Sequence, residues 1–265
     1  TATTEIYTLS LHDALQIWLA GVNSINWARV LAQVVYFFSS AVSLGAPHRA
    51  VDFTVPTGNF GDIFAGYIAR AMGLPIGRLV IATNQNDILH RCLTTGVYQT
   101  EAVLPSQSPS MDIQVSSNFE RALFDALGRD GRAVAALMGD LRTTGRFTVP
   151  QGALQALREV FDSGRVSEDE TAATIARTLK ASGELLCPHS AVGVAVAEQH
   201  LGANPMITLA TAHPAKFPDA VQAATGQRPA LPPRMADLFD RPERVTRMAN
   251  DRAALQALVL ERTGA

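Results

Sequence analysis

A glycine-bearing turn between a predicted strand and a predicted helix constrains this chain more than any other feature. The turn, Pro56–Asp62, reads Pro-Thr-Gly-Asn-Phe-Gly-Asp and follows the strand-like run Val51–Val55. The run that comes next, Ile63–Arg70, has the composition of a helix. The first N–H groups of a helix have no partner within it, and the helix dipole favours negative charge there. The sequence therefore predicts an anion-binding turn, in which Gly58 and Gly61 are free to adopt positive φ or to let a ligand approach closely.

Two common phosphate motifs do not match this turn. A dinucleotide fingerprint has the spacing Gly-x-Gly-x-x-Gly, whereas Gly58 and Gly61 are followed by Gly66. A P-loop has a lysine after its second glycine, and here Asp62 follows Gly61. The phosphate of pyridoxal phosphate is a third candidate, and a strand–helix turn with no ligand is the alternative. The turn alone leaves these two interpretations open.

The elements around the turn predict an α/β fold with a parallel sheet. A strand at Val51–Val55, a helix at Gly61–Met72 and a strand at Leu79–Ala82 are joined by short connections. This order is that of a strand–helix–strand unit, whose two strands are parallel. Upstream, Ile25–Leu44 is dense in apolar residues and predicts a largely buried helix.

The remainder of the chain is predicted to contain an all-helical segment followed by a second stretch of alternating helices and strands. Residues 118–182 predict a helical insertion without strands, with helices near Gly131–Arg142, Gln151–Phe161 and Glu168–Ala181. A helix from Pro188 to His200, a strand at Met206–Thr211 and a helix at Pro214–Thr225 follow. Residues 229–265 begin with a proline-rich joint and are predicted to be a tail that docks on the body through a helix at Asp251–Arg262.

Composition excludes several classes of protein. The net charge is −2, which predicts neither a nucleic-acid-binding nor a membrane-binding surface. Cys92 and Cys187 are isolated, so the sequence predicts no metal site and no disulfide framework, and the reducing cytoplasm is the expected compartment. The apolar stretch Val30–Leu44 is too short and too polar for a membrane span.

Four further motifs accompany the turn, and the whole set resembles one family. They are Asn23–Arg29 (Asn-Ser-Ile-Asn-Trp-Ala-Arg), Ala82–Asp87, Cys187–Gly193 and Ala210–Phe217 (Ala-Thr-Ala-His-Pro-Ala-Lys-Phe). In this order they resemble threonine synthase of the bacterial and fungal type, a fold type II pyridoxal-phosphate enzyme. The resemblance runs from about Gly21 to the C-terminus. It implies the parallel-sheet domain of that fold, in residues 21–265, without the N-terminal part of the family's structure.

The resemblance also implies an activity. Members of the family are cytoplasmic lyases of threonine biosynthesis that convert O-phospho-L-homoserine and water to L-threonine and phosphate, with pyridoxal phosphate as cofactor. The expected assembly is a monomer or a homodimer. Two other functions stay open: a phospho-lyase acting on the same substrate, and a non-catalytic module that binds a phosphate ligand.

The resemblance places the cofactor on the glycine-bearing turn and on one threonine. Backbone N–H groups from Gly58 to Asp62 would hold the phosphate, with Asn59 adding a side-chain donor, Phe60 anchoring the turn in the core, and the Asp62 carboxylate capping the helix. Thr211, at the predicted strand end, would face the pyridine nitrogen. A threonine that only caps the next turn is the alternative.

Substrate contacts are expected from two other motifs. Arg29 would pair with the substrate phosphate, with Asn23, Ser24 and Asn26 lining the same pocket. The alternative for the asparagines and the serine is a polar helix start. His189 would line the substrate side, next to Ser190 as the N-cap of its helix.

The chain differs from the family pattern at its lysines and at its N-terminal end. It has two lysines, Lys180 and Lys216. The family's Schiff-base lysine lies in a motif resembling His-Gly-Pro-Thr-Leu-Ala-Phe-Lys-Asp, which has no counterpart here. We therefore predict no catalytic residue in this chain, a C-terminal fragment that is inactive alone, and a non-native or disordered leader at residues 1–20. A short N-terminal helix is the alternative for the leader.

Overall fold

The computed structural model describes residues 23–263. The predicted leader at residues 1–20 lies outside the described residues. The chain divides into two compact units, one formed by Asn23–Leu231 and one that includes residues 232–263. The boundary falls within the segment predicted as a tail.

A four-stranded parallel sheet forms the centre of the first unit. The described strands are β1 (Val51–Pro56), β2 (Ile76–Thr83), β3 (Val97–Gln99), β4 (Arg146–Thr148), β5 (Phe161–Arg165) and β6 (Met206–Thr208). The central sheet has the order β5-β2-β1-β6, and every neighbouring pair is parallel. Strands β3 and β4 form a separate antiparallel pair. The predicted α/β class with a parallel sheet is confirmed.

Helices connect these strands. The described α-helices are α1 (Trp27–Ser43), α2 (Gly61–Ala71), α3 (Ile88–Thr95), α4 (Phe119–Ala126), α5 (Gly131–Thr144), α6 (Gln151–Arg158), α7 (Glu168–Ser182), α8 (Pro188–Gln199), α9 (Pro218–Thr225) and α10 (Arg252–Thr263). Short 3₁₀ turns lie at Pro109–Met111, Pro214–Lys216 and Pro233–Met235. None of the described helices has the length and apolarity needed to cross a membrane.

The sheet is covered on both faces, as the near-continuous apolar sequence of β2 requires. Leu79 and Ile81 belong to the larger core, with side chains from α1 and α2. Val80 and Ala82 pack on the opposite face with Val192 and other side chains of α8. Successive side chains of a strand point to opposite faces, so a strand buried on both sides is apolar throughout.

This layering places a crevice beside β1. The chain leaves β1 through α2 on one face of the sheet, and it enters β6 after α8 on the other face. Because β1 and β6 are adjacent and parallel, their carboxyl ends flank the position where the connections diverge. Such positions are where open α/β sheets bind ligands.

The prediction that residues 118–182 contain no strand was wrong. Both β4 and β5 lie in this segment, and β5 extends the central sheet by pairing with β2. The sequence of β5, Phe-Asp-Ser-Gly-Arg, has one large apolar residue and no alternating pattern. Its strand conformation comes from pairing at the sheet edge, which local sequence does not encode. The three helices predicted in this segment are present as α5, α6 and α7.

Helix α1 is buried on one side only, which corrects the prediction of a largely buried helix. Its inward side chains recur at helical spacing: Val30, Val34, Phe37 and Ala41. Large apolar side chains on the rest of its surface are exposed, namely Leu31, Val35, Tyr36 and Val42. Apolar density alone therefore overestimated burial of this helix.

The second unit is described by itself. Residues 232–263 contain the 3₁₀ turn Pro233–Met235 and helix α10, which begins and ends one residue later than predicted. The Arg241 guanidinium pairs with the carboxylate of Asp237, four residues earlier in the chain. Docking of this tail on the body stays a prediction.

Two helical glycines provide a test of core packing. A Cβ added at Gly66 in α2 would lie 2.6 Å from a Phe37 ring carbon and 2.9 Å from a Leu79 methyl, whereas Gly139 in α5 has nothing within 4 Å. We expect Gly66→Ala to lower the free energy of unfolding by about 1–3 kcal/mol through overpacking. The control Gly139→Ala should raise it by up to about 1 kcal/mol, because alanine favours helix. Urea unfolding measures both, and equal stabilities for the two variants would contradict the close packing of α1, α2 and β2.

Candidate functional site

A cavity of about 750 Å³ lies at the carboxyl ends of β1 and β6. One wall is helix α1, and the turn between β1 and α2 forms its floor. The segment after β6 supplies another wall, with Ser110, Met111, His189 and Lys216 completing the lining. The structure thereby brings together residues from four of the five sequence motifs, which are distant along the chain.

The turn between β1 and α2 achieves its shape in an unexpected way. Neither Gly58 nor Gly61 has a positive φ; Phe60 does, at 63°. Gly58 is instead required by close packing, because a Cβ there would lie 2.5 Å from the Ser110 carbonyl oxygen. The predicted positive φ of the glycines was wrong. The close neighbour at Gly58 is the Ser110 carbonyl, and the close approach of a ligand stays a prediction.

The carbonyl groups of the turn are held by neighbouring protein. The Ser116 hydroxyl donates to the Gly58 carbonyl at 2.7 Å. The Asn118 backbone N–H and side-chain amide both donate to the Asn59 carbonyl, at 3.0 and 2.9 Å. The Phe60 carbonyl accepts the N–H of Phe64 in α2. These bonds fix the orientation of each peptide plane in the turn.

The N–H groups of the same residues have no protein partner. Within the described part of the chain, none of the backbone N–H groups of residues 58–63 donates a hydrogen bond. Residues 56–63 all line the cavity. Consecutive unpaired donors at a helix N-terminus form an anion-binding concavity, because their dipoles and the helix dipole act together. The turn thus has the chemistry predicted for a phosphate site.

Phe60 anchors the turn, as predicted. Its side chain is 1% exposed and packs edge-on against Phe119 and Phe161, with ring centroids 5.4 and 5.3 Å away. This packing stabilises the left-handed backbone conformation at Phe60, which costs a non-glycine residue free energy. The Asn59 side chain is held more loosely, accepting from the Ser117 hydroxyl at 3.4 Å.

Asp62 does not cap helix α2, which corrects the sequence prediction. The helix has no side-chain cap bond, and the Asp62 Oδ1 atom is buried without a hydrogen-bond partner. Burial raises the pKa of this carboxyl to about 6, partly opposed by the positive charge of Arg29. The Asp62 carboxyl therefore lies in the first turn of α2 with Oδ1 unbonded, and the charge of Arg29 offsets only part of the cost of burying it.

The start of helix α1 separates the predicted substrate residues into two groups. Ser24 and Arg29 line the cavity. Asn23 and Asn26 are not among its lining residues: the Asn23 side chain accepts from the Ile25 N–H at 3.1 Å, and Asn26 is the N-cap of α1, accepting from the Ala28 N–H at 2.9 Å. Both asparagines have the contacts of a polar helix start, and their substrate role stays a prediction.

Sequence reasoning missed several residues of the α1 wall. Gln33, Tyr36, Ser39 and Ser40 line the cavity with Arg29. The positions 29, 33, 36 and 40 recur at helical spacing, so they share one face of α1. That polar stripe inside an apolar run was the signal that identifies them.

The wall after β6 carries the predicted threonine. Strand β6 ends at Thr208, three residues earlier than the sequence predicted, so Thr211 lies in the following loop and lines the cavity. The loop is tied to β1, since the Leu209 N–H donates to the Thr54 carbonyl at 3.1 Å. Lys216 lines the cavity as well, although the sequence motif that contains it predicts no role for this residue. That Thr211 faces the pyridine nitrogen of the cofactor stays a prediction.

His189 reaches the cavity from the first turn of α8. Cys187, not Ser190, is the N-cap of this helix, because the Ser190 N–H donates to the Cys187 sulfur. The His189 ring is 4% exposed and accepts a hydrogen bond at Nε2 from the Ser110 N–H, at 3.2 Å. Burial, followed by the positive charge of Lys216, lowers the pKa of His189 to about 4.

A polar network holds the loop that carries Ser110. The buried Asn84 side chain donates to the hydroxyls of Ser106 and Ser108 and to the Asp112 carboxylate, at 2.8–2.9 Å. Asp112 also accepts from Ser106 at its N–H and hydroxyl. Asn84 belongs to the sequence motif Ala82–Asp87 at the end of β2. Through this network the motif positions Ser110 against Gly58 and His189. No motif in the sequence marks the 104–112 loop itself.

Comparisons with known proteins all point to one family. The family model of the threonine synthase C-terminal region matches residues 190–259. Threonine synthase of Pseudomonas aeruginosa is 55% identical over 91% of this chain and 52% of its own length. The crystal structure of pyridoxal-phosphate-bound threonine synthase from Brucella melitensis, 55% identical, superposes with a TM-score of 0.94 over all of this chain and 57% of that one. The yeast enzyme structure, 38% identical, has a TM-score of 0.84 over 92% of this chain and 54% of that one.

These likenesses define the class and the family. The fold is that of the fold type II pyridoxal-phosphate enzymes, with an amide-lined turn at the carboxyl edge of a parallel sheet. The chain belongs to the threonine synthase family. It spans about half the length of the relatives it matches.

The buried carboxyl of Asp62 predicts a pH-dependent stability. Its pKa is raised in the folded state, from 3.8 to about 6, so the folded state binds the proton more tightly than the unfolded chain. The ionised carboxylate therefore destabilises the fold above pH 6, and this cost falls as pH drops toward 4. Asp62→Asn should raise the free energy of unfolding by about 1–3 kcal/mol at pH 7 and by much less at pH 4. Urea unfolding of both proteins at the two pH values tests this, and a gain that does not depend on pH would be inconsistent with a buried charge.

Proposed function

We propose that this chain binds the phosphate of pyridoxal phosphate through the turn at residues 58–63. The observation that carries the proposal is the row of unpaired N–H groups on consecutive residues of the cavity lining, in a turn whose carbonyl groups are fixed by bonds to neighbouring protein. Each charge-assisted N–H contact contributes about 1.5–3 kcal/mol, so several together bind a dianion. Thr211 is proposed to meet the pyridine nitrogen from the opposite wall.

The proposed reaction of the whole protein is that of threonine synthase. O-phospho-L-homoserine and water give L-threonine and phosphate: the γ-phosphate leaves, and water adds at Cβ. Pyridoxal phosphate supplies, when bound, the electron-withdrawing ring that stabilises negative charge on the substrate's carbon atoms. The positively charged Arg29 and Lys216, both in the cavity lining, support binding of a phosphorylated substrate.

The lysine that would bond to the cofactor aldehyde is proposed to come from a segment other than this chain. Lys180 is in the last turn of α7, away from the cavity lining, and Lys216 lies in the loop after β6. The family resemblance assigns neither of them as the anchor. We therefore propose that this chain binds cofactor and substrate but does not turn over by itself.

The proposal extends to the cell compartment and the assembly. Cys92 and Cys187 are both buried free thiols, which suits the reducing cytoplasm. We propose a cytoplasmic protein that acts as a monomer or a homodimer.

Phosphate-dependent binding tests the assignment of the turn. Pyridoxamine 5′-phosphate should bind to the chain. Pyridoxamine should bind at least about a hundredfold more weakly, because it lacks the phosphate that would accept hydrogen bonds from the amide N–H groups. Gly58→Ala should weaken binding of the phosphate form about tenfold or more, since its Cβ displaces the turn from the Ser110 carbonyl. Gly139→Ala is the control and should bind normally. Isothermal titration calorimetry gives these affinities; equal binding of the two pyridoxamines would refute the phosphate site.

Covalent trapping tests the assignment of the lysine. The chain with pyridoxal phosphate and O-phospho-L-homoserine should release no phosphate above the protein-free rate, because it supplies no anchoring lysine at the cavity. Borohydride reduction followed by peptide mass spectrometry should find no stoichiometric cofactor adduct on Lys180 or Lys216. The variant Lys216→Arg, which keeps the charge, should bind the cofactor as the unsubstituted chain does. A stoichiometric adduct on Lys216, or measurable phosphate release, would show that this chain carries its own anchor.

A further inference from the structure

Asn118 lies at the start of helix α4 but does not cap it. It occupies the N-cap position, where an asparagine side chain ordinarily accepts a backbone N–H of the first helical turn. Here the side chain makes no cap bond. It is 0% exposed, and its amide bonds two other segments of the chain. The buried side chain therefore serves contacts outside its own helix.

The Asn118 amide joins two segments that are far apart in the chain. Its Nδ2 atom donates to the Ser24 carbonyl at 2.8 Å and to the Asn59 carbonyl at 2.9 Å. The backbone N–H of Asn118 donates to the same Asn59 carbonyl at 3.0 Å. An amide nitrogen has two hydrogens, so both are used, and the opposite orientation would place Oδ1 against two carbonyl oxygens. The two contacts therefore set the orientation of the amide.

This arrangement leaves one atom unsatisfied. Asn118 Oδ1 is buried and has no hydrogen-bond partner among the residues that the structure describes. A buried acceptor without a partner costs stability. Stability alone therefore does not account for an asparagine here, whereas the need for two donors on one nitrogen does.

The two bonded carbonyl groups belong to different parts of the ligand cavity. Asn59 lies in the anion-binding turn and Ser24 in the motif at the start of α1; both residues line the cavity, and Asn118 does not. Gly61 is their neighbour, since a Cβ built on it would lie 3.4 Å from both the Asn118 Nδ2 atom and the Ser24 carbonyl oxygen. The turn and the motif thus meet at a buried amide that is not itself part of the lining.

Two neighbours of Asn118 each hold one of these parts. The Ser116 hydroxyl donates to the Gly58 carbonyl, in the turn. The Arg121 guanidinium donates to the Ile25 carbonyl at 2.8 Å and lies 5.0 Å from the centre of the Trp27 ring, at the start of α1. Of these three side chains, only that of Asn118 bonds both parts.

The start of α1 has few buried side chains to hold it. Residues 27–29 are exposed, and Val30 is the first buried residue of the helix. A segment with little buried surface is less rigid than the core, so the bonds to its carbonyl groups have a large influence on its position. A ligand that orders the turn would also order this segment through Asn118, and a second ligand would then lose less entropy on binding there.

We propose that Asn118 is a positioning residue that couples the two parts of the cavity. An anion bound at the turn favours binding of a second ligand against the motif Asn23–Arg29, and the second ligand favours the anion by the same factor. The inference rests on the proposed function for the identity of the two ligands, which are the cofactor phosphate and the phosphorylated substrate. Asn118 acts through Ser24 and Asn59.

The coupling is measured by calorimetry on the whole chain. The coupling factor is the dissociation constant of O-phospho-L-homoserine without pyridoxamine 5′-phosphate, divided by its value at saturating pyridoxamine 5′-phosphate. We expect a factor of about ten or more for the unsubstituted chain. Asn118→Leu keeps a branched side chain and loses both donors, and it should lower the factor about fivefold or more.

Two variants that each break one side are the matched controls. Ser116→Ala loses the bond to the turn, and Arg121→Met keeps an apolar stem and loses the bond to the start of α1. Each should weaken binding on its own side and leave the coupling factor within about twofold of the unsubstituted value. A structural asparagine would weaken both affinities without changing the factor. An unchanged factor in Asn118→Leu, or an equal loss in the controls, overturns the proposal.

Nuclear magnetic resonance of the unsubstituted chain provides a test that needs no variant to fold. The N–H groups of Ile25 and Phe60 belong to the peptide units whose carbonyls accept from Asn118. Inorganic phosphate should move the resonances of residues 58–63 and that of Ile25, and in Asn118→Leu the Ile25 response should be lost. An Ile25 resonance that stays in place while those of the turn move overturns the coupling alone. Turn resonances that do not move at saturating phosphate overturn the proposed function.

Discussion

The bonds that orient the peptide planes of residues 58–60 are the constraint on which the site depends. Each carbonyl of this turn is bonded, to Ser116, to Asn118 or to the N–H of Phe64, while the N–H groups of the same residues have no partner among the described residues. The aromatic packing of Phe60 supports the strained backbone at the same place. Pre-oriented dipoles bind an anion without the cost of reorganising on binding.

Several polar groups that the described part of the fold leaves without partners belong to residues of the cavity lining, whereas Asn118 Oδ1 and Glu168 Oε1 are unsatisfied on residues outside it. The amides of residues 58–63, the Asp62 Oδ1 atom and the His189 Nδ1 atom are buried or inward-facing without protein partners. Such groups cost stability in a fold that otherwise pairs its buried polar atoms. The same lining carries Arg29 and Lys216, and such a site is where we expect stability to be exchanged for ligand binding.

The features that could be predicted from sequence are those set by residues close together in the chain. The strand–turn–helix unit at Val51–Ala71, the α/β class and the phosphate-type turn followed from composition, periodicity and helix-end physics. Strand β5 was missed because Phe161–Arg165 becomes a strand only by pairing with β2. The roles of Asp62 and of the two cavity-lining glycines were misjudged for a similar reason: the position of Ser110 and the αL conformation of Phe60 are set by packing across the chain.

The sequence by itself determined the order of elements, the amide-rich turn and the set of motifs that identify the threonine synthase family, because each depends on residues adjacent in the chain. The tertiary structure alone decided which motifs share a cavity. It placed Ser24 and Arg29 in the lining, left Asn23 and Asn26 outside it with Asn26 as the N-cap of α1, and brought Ser110 and Lys216 to His189. Contacts between residues dozens of positions apart depend on how layers pack, and local sequence carries no record of that packing.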